Sequence, residues 1–179
     1  MIHMISPDHR NLTEQQLRDG KIYGAHRVQT PIIGYKKIKC QSTNARLFSW
    51  LPFMLRPNIK ELYAIAELEI PQDATIIRPS VICDDFLAFT SSVEVSNKLR
   101  TNTAIVKKIE RHPSPMLFVN ALNNLSDCEC YSIHDNQYKY QIGQEQKPIQ
   151  NFDDSINSEC TSGIHFFLEK EDAKNYFFN

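Results

Sequence analysis

Between Leu62 and Ile70 the chain alternates regularly enough to dictate its backbone geometry. Leu62, Ala64, Ala66, Leu68 and Ile70 fall on one side, and Tyr63, Ile65, Glu67 and Glu69 on the other. Successive side chains leave a strand on opposite faces, so a period of two predicts a half-buried strand. Pro71 ends it, having no N–H to give a ladder. Three more segments read as strands around it: Ile32–Cys40, Thr103–Glu110 and Gly163–Leu168. Thr75–Arg78 and Tyr138–Ile142 are shorter candidates. In the first of these, Tyr35, Lys37 and Lys39 share one face, while Gly34, Lys36, Ile38 and Cys40 share the other.

Helical patterns are few and short. Asn11 or Thr13 can cap a helix that Gly20 ends. Pro115–Leu125 carries Met116, Val119 and Leu122 at helical spacing, and Glu169–Phe178 carries an Ala173/Phe177 pair four apart. The predicted class is therefore α+β: a mixed, mainly antiparallel sheet with a few short helices, in one domain over 1–179. No repeat, low-complexity tract or linker divides the chain.

With 179 residues, 41% apolar and 23% charged, the chain can bury a real core and is not of disordered composition. The formal charge of −1 gives no general argument for nucleic acid or an anionic membrane as partner. Charge is uneven, with 16 basic against 11 acidic residues to Leu125 and 4 against 10 thereafter. The apolar run Leu47–Leu55, broken by Pro52, is far short of the roughly 20 residues of a membrane helix. Around it, Phe48 to Pro57 predicts an irregular loop in which Trp50 and Phe53 either pin the core or meet a partner. The five cysteines, Cys40, Cys83, Cys128, Cys130 and Cys160, are odd in number, and no signal-peptide pattern accompanies them. That favours free thiols, a reducing cytoplasmic compartment and no disulfide.

Most site chemistry is excluded by pattern. The five glycines are scattered singly, so no phosphate cradle forms, and no His-Glu-x-x-His or Gly-x-Ser-x-Gly occurs. Cys128, Cys130 and His134 have chelating spacing but need a fourth ligand, and no metal or cofactor is predicted. Cys160 and His165 are the best thiol–imidazole pair, yet five positions apart on a strand they face opposite ways.

The segments Gly34-Tyr-Lys-Lys37, Ile70-Pro-Gln-Asp-Ala74 and Glu159-Cys-Thr-Ser-Gly-Ile-His-Phe-Phe167 together resemble a domain-of-unknown-function family. That family is met in large DNA viruses and bacteria, sometimes beside pentapeptide repeats, and the likeness spans about Gly34 to Tyr176. Where the family usually has Lys-Cys-Arg, this chain has Lys98-Leu-Arg100. The resemblance brings no activity with it. A second, more local likeness is to the ADP-ribosyltransferase superfamily. Gly163-Ile-His-Phe-Phe with Ala173 and Tyr176 looks like its Gly-Ile-Tyr-Phe strand and following Ala-x-x-Tyr, and Gly34-Tyr35 like its nicotinamide strand. The strand carrying that superfamily's late Glu has no counterpart before Asn179.

Two functions follow as expectations. One is a non-enzymatic interaction or effector-type module with a host or cognate protein as partner, in the cytoplasm, its own or a host's. The other is a divergent ADP-ribosyltransferase-like domain binding NAD or another nucleotide. Either way the expected site lies where Tyr35 and Lys36 approach Cys160 and His165, with Trp50 as a further contact candidate. Gly34 and Gly163 each remove a side chain there, and a strand glycine marks close approach by a neighbour or a ligand.

Overall fold

The computed structural model describes residues 10–19, 23–42, 62–79, 97–111, 128–158 and 160–176. Among them are eleven strands, the three longest of which form the spine: β3 (Ile32–Ser42), β4 (Leu62–Ile70) and β7 (Ala104–Arg111). β3 and β4 pair antiparallel from Ile32↔Ile70 to Cys40↔Leu62, and β7 pairs with the far side of β4. A bulge at Glu67/Leu68 shifts that second register. β4 has the bounds its alternation predicts, and Ala64, Ala66, Leu68 and Ile70 are completely buried. Ile65 on its other face is buried as well, so both sides of the spine are covered in part.

The remaining strands extend the spine. β1 (Arg10–Leu12), β2 (Gly24–Val28), β5 (Thr75–Arg78), β6 (Lys98–Thr101) and β11 (Ile164–Phe167) lead in that order to β3, and β10 (Glu145–Gln146) closes the β7 edge. β8 (Cys128–Ser132) also pairs with β3 and carries β9 (Lys139–Tyr140). Among the described strands only β1 and β2 pair in parallel. Ile38, Ile76, Leu99, Val106 and Phe166 join the β4 residues in one apolar cluster. Each buried Val, Leu, Ile or Phe in it contributes roughly 1.5–3 kcal/mol of transfer free energy.

Two corrections to the expected fold follow. The α+β class gives way to a largely β fold, because helix among the described residues is limited to α1 (Glu14–Arg18) and α2 (Lys170–Asn175). α1 starts where its capping signal lies. The Thr13 hydroxyl accepts the Gln16 N–H at 3.3 Å, and the Gln16 side chain accepts the Thr13 N–H at 3.0 Å. Buried Arg78 holds its last turn by donating to the Leu17 carbonyl at 2.6 Å. α2 ends before the predicted Phe178 boundary because Tyr176 is already extended. The predicted helix Pro115–Leu125 and the Trp50 loop lie outside the described residues.

The second correction concerns the cysteines, expected as free thiols. Cys40 and Cys130, register partners across β3 and β8, form a disulfide, and Cys160 is disulfide-bonded too. Cys128 keeps its thiol. Oxidation of Cys130 also removes the thiolate that a site with Cys128 and His134 would need. An odd count says only that one sulfur is left over; it does not say which strands meet. The disulfides withdraw the main argument for a reducing compartment. Among the described residues no helix is long and apolar enough to cross a membrane.

Candidate functional site

β3 has one continuous edge and one divided edge. Against β4 it pairs without interruption over nine positions. On the other side Tyr35 pairs with Phe167 of β11, and pairing resumes only at Ile38 with Ser132 of β8. Lys36 and Lys37 fall in the gap, where β11 and β8 part. The chain fills that fork from both ends: Ile133 and His134 follow β8, and Tyr176 follows α2. With Lys98 of β6 and the β11 residues His165 and Phe167, they line a cleft of about 260 Å³, its mouth included.

Lys36 sits on the core face of β3, in line with Gly34, Ile38 and Cys40, and is 8% exposed. Its ammonium donates to the His165 carbonyl at 2.9 Å. Burial lowers its pKa from the usual 10.5 to about 7, and nearby Lys98 pushes the same way. Desolvation penalises the charged amine, and a second cation adds to that penalty. Lys98 donates to the Tyr176 hydroxyl at 3.2 Å and lies 5.3 Å from the centre of its ring. His134 meets the same ring edge-on, and burial, Lys36, Lys98 and Lys39 together lower its pKa. Lys37, on the opposite face, donates to the Lys174 and Tyr176 carbonyls at 3.0 Å each. A lysine capping the last carbonyls of a helix is favourable, and here it fixes Tyr176 over the fork. Among the described residues lining the cleft there is no acid.

The predicted site residues divide. Lys36 and His165 are brought together as expected, since β3 and β11 adjoin. Tyr35 is half-buried on the other face, between Glu67 and Phe167, and does not line the cleft. Cys160 is exposed, disulfide-bonded and outside the lining. Trp50 lies outside the described residues. The glycines mark close approach by neighbours: a Cβ at Gly34 would stand 2.3 Å from the Phe166 ring, and one at Gly163 2.5 Å from buried Arg100. Arg100 uses that room to reach the Ser155 and Ser158 carbonyls, anchoring the loop before β11. The sequence reading missed Lys98 and gave His134 only a metal role. Lys98 alternates with Arg100 through Leu99, a strand signal hidden by the polarity of two buried cations.

Fold and site thus define a largely antiparallel β domain whose sheet branches around a lysine-rich cleft. The chain belongs to DUF5758, a family of unknown function, whose pattern matches residues 23–173 and so takes in the residues lining the fork except Tyr176. Two uncharacterised proteins of Acanthamoeba polyphaga mimivirus are similar to it. One is 31% identical over 79% of this chain and 81% of its own length, the other 28% over 88% and 85%. A place in a family found in a large DNA virus agrees with the resemblance read from the sequence. No solved structure matches the chain.

Proposed function

We propose that this domain is a non-enzymatic interaction module that seats an anionic group of its partner, a phosphoryl or carboxylate group, in the fork of its sheet. The observation that carries this reading is the lining. Lys36, Lys98 and His134 converge there with the Tyr176 hydroxyl, and no acid is among the described lining residues. An arriving anion meets donors already held in place by the sheet and by α2, so little ordering remains to be done on binding. Partial dehydration strengthens each charge-assisted hydrogen bond it makes. Because Lys36 holds its proton weakly, an anion raises that affinity, and binding near neutral pH takes up a proton.

Calorimetry with inorganic phosphate and pyrophosphate tests the reading. Saturable binding is expected, with a heat that depends on the buffer's ionisation enthalpy and an affinity at least tenfold weaker in Lys36→Met. Tenfold corresponds to about 1.4 kcal/mol, within reach of one charged hydrogen bond. Absence of saturable binding at millimolar anion would remove it. NAD forms a separate arm: tight NAD binding without phosphate binding would favour the nucleotide-binding alternative instead.

A further inference from the structure

We propose that Cys128 is a relay thiol through which the buried Cys40–Cys130 disulfide exchanges with soluble thiols, so that the cross-link on the divided edge of β3 opens and closes with the thiol balance around the protein. No step uses Lys36 or an anion, and failure here would leave the reading of the fork untouched. Three sulfurs share one face of the sheet at one place. Cys128 and Cys130 are two residues apart on β8 and so leave it on the same side, and Cys130 is the register partner of Cys40 on β3. Cys128 packs against the apolar cluster that contains both Cys40 and Cys130.

Access divides the three. Cys40 is 0% exposed and Cys130 4%, whereas Cys128 is half-buried and keeps its thiol. Exchange requires a thiolate to reach sulfur, so a soluble thiol that cannot touch the disulfide itself can still meet Cys128. Reach within β8 is adequate. Two residues of strand span about 6.6 Å between Cα atoms, at the upper end of what a disulfide bridges. A Cys128–Cys130 bond is thus attainable but stretched, which makes it an intermediate and leaves Cys40–Cys130 the resting bond.

The internal step balances without an oxidant. Cys128 gives its proton to water, and its thiolate attacks Sγ of Cys130. The Cys128–Cys130 bond forms, the Cys40–Cys130 bond breaks, and Cys40 leaves as a thiolate that takes up a proton. A soluble thiolate then attacks Sγ of Cys128, and Cys130 leaves and is protonated in its turn. A second soluble thiol removes the first from Cys128. Two soluble thiols are thereby oxidised to one disulfide, and Cys40 and Cys130 are reduced. β8 has then lost its covalent tie to β3, at the edge from which Ile133 and His134 run into the fork.

The experiment is timed reduction of the full native chain with reduced glutathione, followed by an acid quench, alkylation and peptide mapping. In the unaltered chain Cys40 should be alkylated while Cys130 is still bonded to Cys128, and glutathione should then be found on Cys128. Cys128→Ser should slow reduction of Cys40–Cys130 roughly tenfold or more, because the remaining route waits for the strands to open. The disulfide at exposed Cys160 is the internal reference and should be reduced equally fast in both chains. The order of alkylation is read on the unaltered chain and so does not depend on how Cys128→Ser folds. Equal rates for Cys40–Cys130 in the two chains, or Cys40 and Cys130 released together with Cys128 unmodified, overturn the proposal.

Discussion

The two edges of β3 obey the same hydrogen-bonding rules and have opposite outcomes. Toward β4, nine register pairs are laid down by two strands near in sequence, and the β4 side chains on the core face, Leu62, Ala64, Ala66, Leu68 and Ile70, are all apolar and buried. Toward β11 and β8, partners drawn from two distant segments each cover part of the strand, and the pieces do not meet at Lys36 and Lys37. The continuous edge carries the fold. The divided edge leaves charged groups half-dehydrated, which costs stability and provides a place to hold a ligand.

Breaking the divided edge at its cross-link tests this contrast most severely. A disulfide closing a loop of 90 residues stabilises by roughly 4.6 kcal/mol in the chain-entropy account. Cys130→Ala should therefore lower the unfolding free energy read from a denaturant titration by about that amount. It should also abolish phosphate binding, because β8 sets the position of His134. Retained phosphate affinity in a destabilised Cys130→Ala chain would show that the fork does not depend on β8.

Gly34→Ala sharpens the comparison from the other side. The added methyl must displace the fully buried Phe166 ring, and overpacking of that kind costs typically ~1–3 kcal/mol. A thermal melt should fall accordingly, while binding per folded molecule is preserved. An unchanged melt would mean that β11 is free to move away from β3.

Per pH unit, a smaller effect is expected from the titration of Lys36. The folded chain holds the Lys36 proton less tightly than the unfolded chain does, so between about 7 and 10.5 the unfolded state binds more protons. Stability attributable to this residue rises with pH across that window, by at most ~1.4 kcal/mol per pH unit. Lys36→Met should flatten the rise and equal or exceed the parent in stability at neutral pH. An equal slope in both chains would return Lys36 to an ordinary solvated lysine. Smallest of all should be Glu110→Gln. This carboxylate of β7, paired with Lys108 and with Lys170 of α2, has a pKa lowered to about 2 by those two hydrogen bonds. It lies at the surface, half-buried but reached by solvent and ions, so the loss should stay within about 1 kcal/mol and shrink with added salt.

What the sequence made legible follows the range of the interactions. β4 could be bounded from its own alternation and Pro71, and the face parity of β3 placed Lys36 with Ile38 and Cys40 before any partner was known. Which strands lie beside β3 is a non-local property, so neither the fork nor the Cys40–Cys130 pair could be read from spacing. Gly34 and Gly163 announced close approach, but Phe166 and Arg100, not a ligand, are what approach. β6 was obscured because Lys98 and Arg100 are buried cations in short strand register with Leu99, a pattern that resembles a solvated segment. The two helix signals that fall on described residues were read correctly in place but too generously in length.

The titration of Lys36 itself bears most directly on the account. Side-chain NMR of this one amine, followed against pH with and without inorganic phosphate, should give a midpoint near 7 in the unliganded chain. Phosphate should move it upward. A midpoint at the ordinary lysine value, unmoved by phosphate, would contradict a dehydrated, anion-seeking fork.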